Sequence, residues 1–121
     1  IDLIYPPDWL MLECNQIIKG SSTKHLFLVQ DSRKYIEGSH DLLFIDTLHT
    51  AEQVYAELMT HASQTRKYII FHDTYTYGVN GEGGGEGLLI GMQRFLDENP
   101  SQWRTVYNVE FNNGLTIWQR G

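Results

Sequence analysis

Asp46, His49, His72 and Asp73 have the types and spacing to do chemistry together. Asp46-Thr47-Leu48-His49 places a carboxylate and, three residues on, an imidazole. His72-Asp73 places a second such pair side by side. Two carboxylates and a histidine that converge can hold a divalent cation. Oxygen ligands suit magnesium, calcium or manganese, whereas a histidine suits manganese, iron or zinc better. His49 can equally serve as a general base, because an unperturbed imidazole titrates near ~6.5. Each residue also has an ordinary structural use. Asp46 can cap a helix starting near Thr50, His49 can bond a backbone carbonyl, and His72-Asp73 can close a turn with Thr74. As a set at equivalent positions they favour a site.

Those positions are strand ends. Leu42-Leu43-Phe44-Ile45 is an unbroken apolar run that ends at Asp46, and Tyr68-Ile69-Ile70-Phe71 ends at His72-Asp73. Leu26-Phe27-Leu28-Val29 is a third such run, ending near Asp31-Ser32. Short apolar runs of this kind read as buried strands. Helical spacing separates them. Asp8 caps a helix whose apolar side is Leu10, Cys14, Ile17 and Ile18, ended by Gly20. Thr50, with Gln53 three residues on, opens a helix with Ala51, Val54, Tyr55, Leu58 and Met59 on one face, fading near Ala62. Leu88, Leu89, Met92, Phe95 and Leu96 form the buried side of a last helix, closed by Asn99-Pro100. Arg104 to Phe111 and Leu115 to Gln119 read as a hairpin around Asn112-Asn113-Gly114, since Asn-Gly tolerates the positive φ of tight hairpin turns.

The fold class is therefore α/β: parallel strands with a carboxyl-terminal antiparallel hairpin. Unbroken apolar strands imply a sheet covered on both faces. Ligands of open α/β sheets bind outside the carboxyl ends of the strands. Asp31-Ser32, Asp46 and His72-Asp73 all fall there. Asp31 and Ser32 can bond an adenine edge, and Asp2 can bind a ribose diol, although Asp-Ser is also common turn chemistry.

Between Gly78 and Gly87 lie six glycines, which predict a mobile loop. Gly81-Glu82-Gly83 mimics part of a phosphate loop. Glu82 and Glu86 oppose phosphate, and no Lys-Ser/Thr follows. A hinged lid and a plain connector are the two readings. Tyr75 and Tyr77 are candidates to line an acceptor pocket; Trp103 and Trp118 read as core or edge packing.

At 121 residues the chain is read as one domain, residues 1–121, with a modest core. Nine basic and fifteen acidic residues give a net charge of −6 without a Lys/Arg cluster, which argues against a nucleic-acid partner. Cys14 is the lone cysteine and reads as a buried thiol. No stretch has the ~20 apolar residues of a membrane span, and no signal peptide is visible, so a cytoplasmic protein is expected. Ile1-Asp2-Leu3-Ile4 reads as the tail of a strand already in progress, which implies a preceding segment.

The stretch from Asp41 to Thr50 (Asp-Leu-Leu-Phe-Ile-Asp-Thr-Leu-His-Thr) and that from Lys67 to Thr74 (Lys-Tyr-Ile-Ile-Phe-His-Asp-Thr) resemble the fourth and fifth strands of class I S-adenosylmethionine-dependent methyltransferases. They are most similar to the group of macrocin-type sugar O-methyltransferases and cephalosporin-hydroxylase-like proteins. Gly87-Leu88, Phe95-Leu96, Asn99-Pro100, Trp103 and the segment Asn112 to Thr116 extend the resemblance. It implies a partial Rossmann-like methyltransferase sheet whose first strand is missing. That strand lies centrally in the family, so a gap, a rearranged sheet or a homo-oligomer that fills the gap is expected. By position, Asp46 and Asp73 match metal-binding carboxylates, and His49 matches the base that deprotonates an acceptor hydroxyl. His72 stands where the family has a glutamate, which implies either loss of metal binding or an altered metal preference. Asp31 and Ser32 match the adenine side, and Asp2 the ribose acid. The implied cofactors are S-adenosylmethionine and a divalent cation, magnesium or manganese. The implied partner is a small-molecule or sugar acceptor. A truncated or degenerate domain acting as a non-catalytic binding or assembly module is the alternative. Metal-dependent hydrolysis is a third, with no clear nucleophile.

Overall fold

The computed structural model describes residues 38–121. The expected helix after Asp8, the strand Leu26 to Val29, and the candidate residues Asp2, Asp31 and Ser32 lie outside the described residues. Within them the order is β1 (His40–Ile45), α1 (Ala51–His61), β2 (Thr65–His72), α2 (Leu88–Glu98), β3 (Trp103–Val109) and β4 (Leu115–Arg120). The four strands form one open mixed sheet in the order β1-β2-β4-β3. β1 and β2 are parallel, with Ile45 opposite Phe71. β4 runs antiparallel to both β2 and β3. The α/β class and the closing hairpin are thus as the sequence reads. It is the second hairpin strand, β4, that docks on the parallel pair.

One sheet face carries the core. Ile45, Ile69, Phe71, Trp118 and Trp103 join Val54, Leu58, Leu88, Met92 and Phe95 of the two helices in one buried cluster. Phe71 meets Trp118 edge-on, with ring centroids 4.7 Å apart. Trp103 and Trp118 are core residues, as their size and apolar setting predict.

The other face differs from expectation. Leu42 and Phe44, on either side of the half-buried Leu43 in β1, are 51% and 55% exposed. Their register partners Tyr68 and Ile70 line the same face. Among the described residues, both helices pack on the opposite face, so this part of the sheet is covered on one side only.

The helices form where their caps predict. Thr50 Oγ1 accepts from Gln53 N at 3.2 Å and opens α1. Asn99 closes α2, its backbone N–H and its side-chain amide both donating to Phe95 O. The buried face of α1 is turned from the apolar reading. Gln53, Glu57 and His61 are buried with Ala51, Val54 and Leu58, while Met59 is exposed. Glu57 is turned inward by a polar partner, since its carboxylate accepts from Thr47 Oγ1 at 2.6 Å. In α2, Gly91 rather than Leu89 joins the buried side.

Gly91 sets how closely the helices approach. A Cβ there would lie 2.3 Å from Ala51 O and 2.7 Å from Val54 Cγ1. The obstacle is backbone, which cannot swing aside. Gly91→Ala should therefore push α2 off α1 and lower stability by about 1–3 kcal/mol. Urea unfolding checks this, with Met59→Ala as an exposed control expected to move stability by no more than about 0.5 kcal/mol. Equal midpoints for Gly91→Ala and the native chain would contradict the close approach.

Candidate functional site

The register of β1 on β2 brings the candidate residues together. Ile45 and Phe71 are paired and buried, so Asp46 and His72, one residue further, emerge side by side at the carboxyl ends of the parallel strands. The chain then turns sharply. Asp73 sits in the left-handed region with φ 61°, a conformation that short polar side chains tolerate better than most. Its N–H donates to Gly114 O at 3.0 Å. Asn113 O accepts from Tyr75 N at 2.9 Å and from Thr76 N at 3.0 Å. The hairpin turn thus supports the segment after β2. Its central residues are Asn112 and Asn113, with φ 53° and 70°, so the tight turn falls one residue earlier than Asn-Gly suggests. Gly114 is needed for room: a Cβ there would lie 2.2 Å from Tyr75 N.

Four donors point inward. His49 Nε2 lies 2.6 Å from Asp73 Oδ2 and 3.4 Å from Asp46 Oδ1. His72 Nδ1 lies 3.3 Å from the same Asp73 oxygen and 3.6 Å from Asp46 Oδ1. Asp73 is buried, His49 and His72 are half-buried, and Asp46 is exposed. Ligand atoms of Asp46, His49 and Asp73 all lie within 4.8 Å of one another. Divalent cations hold their ligands at about 2.0–2.6 Å, so such a group can span one ion.

Both imidazoles are held from behind. His72 Nε2 donates to Asn112 O at 3.1 Å. His49 Nδ1 pairs with the carboxylate of Glu82. Asn112 O can only accept, so in the neutral His72 ring Nδ1 carries the lone pair, whereas His49 has a carboxylate at each nitrogen. Lone pairs facing carboxylate oxygens call for positive charge between them, either a proton or a cation.

His49 shows that demand. Partial burial, the largest single influence, lowers its pKa. The bonds to Glu82 and Asp46, with the charges of Asp73 and Glu82, together outweigh it, and the net shift is upward. Glu82 shifts downward, chiefly through its bond to the His49 side chain. Tyr77 completes the setting, stacked on the His49 ring at 4.8 Å and 11°.

Asp46, His49, His72 and Asp73, all expected from their spacing, are therefore brought together. Of the aromatic candidates, Tyr77 reaches the site through His49, while Tyr75 is 62% exposed. The reading of the sequence missed Glu82. Its glutamate-bearing glycine segment counted only against phosphate binding. That segment is bonded onto the start of α1, with Glu82 N donating to His49 O at 2.9 Å and Glu86 O accepting from Ala51 N at 3.0 Å. Comparison with family models, curated proteins and solved structures finds no match for the chain. None of the helices among the described residues is long and apolar enough to cross a membrane.

The raised His49 pKa has a consequence for stability. The protonated ring is held more tightly in the folded chain than in the unfolded one. Its contribution is fully present below the unfolded value near ~6.5 and is lost as pH rises through the higher folded value. The stability advantage of the native chain over His49→Gln should shrink across that window. Urea midpoints at a series of pH values measure it, and a difference that stays constant or grows with pH would contradict the assignment.

Proposed function

We propose that the chain is the carboxyl-terminal part of a class I methyltransferase domain that methylates a hydroxyl of a sugar or small metabolite, with S-adenosylmethionine as donor. The observation that carries this reading is the convergence of Asp46, His49 and Asp73 at the carboxyl ends of two parallel strands, where open α/β sheets bind ligands. The mixed sheet, a parallel pair followed by an antiparallel hairpin, agrees with the Rossmann-like arrangement that the resemblance implies.

The two imidazoles divide the work by what stands behind them. Glu82, a carboxylate, stabilises the His49 imidazolium and strengthens that ring as a base. Asn112 O, a neutral carbonyl, accepts from His72 Nε2, and His72 Nδ1 faces Asp46 and Asp73 as a ligand. In this reading His49 Nε2 takes the acceptor's proton as the oxygen–methyl bond forms and the sulfur–methyl bond breaks. Asp73, 2.6 Å away, steadies the imidazolium so produced. Asp46, Asp73 and His72 Nδ1 are the groups that would hold a divalent cation. Their mixed oxygen and nitrogen donors suit manganese better than magnesium. Such an ion would neutralise the carboxylates and polarise the acceptor hydroxyl. The sulfonium of the bound cofactor supplies the methyl group. Positioning of the acceptor oxygen in line with it contributes the rest of the rate.

Calorimetry with S-adenosylmethionine is the first test. Saturable one-to-one binding to the chain is expected, and no binding with or without manganese would favour a non-catalytic module instead. In a complete enzyme that turns over, His49→Ala should cut turnover by about 10²–10⁴-fold. Unchanged turnover would remove His49 as the base.

A further inference from the structure

The glycine-rich segment reaches the site through one residue. Glu82 binds His49 three times. Its N–H donates to His49 O at 2.9 Å, its carboxylate accepts from His49 N at 3.2 Å, and the same oxygen pairs with His49 Nδ1. The segment is shaped for this approach. A Cβ on Gly81 would lie 2.6 Å from the carbonyl oxygens of both His49 and Glu86, so only glycine lets the backbone pass. Gly81 N donates to Gly85 O at 2.8 Å, and Asn80 bridges Glu86, which closes the segment into a compact loop.

We propose that Glu82 is a positioning residue that fixes the tautomer of His49, holding the ring proton on Nδ1 and presenting a bare Nε2 to the acceptor hydroxyl. The proposal rests on the reading of His49 as proton acceptor. A neutral imidazole has one ring proton, and two carboxylates compete for it. Glu82 stands at Nδ1 and Asp73 stands 2.6 Å from Nε2. If Asp73 wins, Nε2 carries the proton and accepts nothing. Glu82 tips the competition, because its oxygen also accepts from the His49 backbone N–H and is thereby locked beside Nδ1. Tyr77, stacked on the ring, resists its rotation. His72 follows the same logic with a weaker acceptor, its outer nitrogen held by Asn112 O.

Long-range ¹H–¹⁵N spectra of the chain report the tautomer directly, at a pH where the histidine rings are neutral. His49→Gln identifies the His49 signals among the five histidines. In the native chain the His49 proton should sit on Nδ1. Glu82→Ala should reverse the ratio in favour of Nε2. Glu82→Gln, whose side-chain oxygen still accepts, should restore the native pattern. A native ring already protonated on Nε2 overturns the proposal, as does a Glu82→Ala ring that stays on Nδ1. Should Glu82→Ala change the backbone amide spectrum beyond the site, the native tautomer and the Glu82→Gln tautomer decide, and Nε2 protonation in either one counts against it. The tautomer is read without turnover. A failure of methyl transfer would therefore remove the catalytic reading and leave the Glu82 result standing.

Discussion

The parallel pairing of β1 with β2 is the constraint on which the site depends. With Ile45 opposite Phe71, the next residues of both strands leave the core at the same level. Ile45 and Phe71 are fixed by burial against α1, α2 and Trp118, so Asp46 and His72 inherit a rigid base. A one-residue slip would turn the slipped strand over and carry its candidate side chain to the wrong face. β4 reinforces the register from the other side, pairing Leu115 with His72 and Thr116 with Phe71. Its hairpin turn then supports the left-handed Asp73. Apolar packing sets the level, and backbone bonds to the turn set the direction of the last carboxylate.

Electrostatics sorts the residues once they are placed. Two acids and two imidazoles face one small volume, and the acids alone would repel. Each imidazole is tied outward, one to a carboxylate and one to a carbonyl. The upward shift at His49 and the downward shift at Glu82 are two sides of one bond.

The strand ends were legible because each is an unbroken apolar run followed at once by a polar or charged residue. Leu42 to Asp46 and Tyr68 to Asp73 needed no partner to be read. Thr50 and Asn99 were legible as helix ends because capping is local. What a residue does through a distant partner was not legible. Met59 fits the apolar spacing of α1, yet Glu57 takes an inward place through a bond to Thr47, outside the helix. Glu82 lies 33 residues from His49, and only the fold of a glycine-rich segment joins them. Glycines announce a turn without saying where it leads. The exposure of Leu42 and Phe44 among the described residues was hidden for a related reason, since an apolar run reports affinity for cover and not which elements supply it.

The proposed site at the strand ends would hold a divalent cation between Asp46, Asp73 and His72 Nδ1, beside His49 as the base. Anomalous diffraction from crystals of the chain grown with manganese tests it most directly. A single strong manganese peak is expected within bonding distance of both Asp46 and Asp73, lost in Asp73→Asn. A peak elsewhere, or none at this position at saturating manganese, would contradict it.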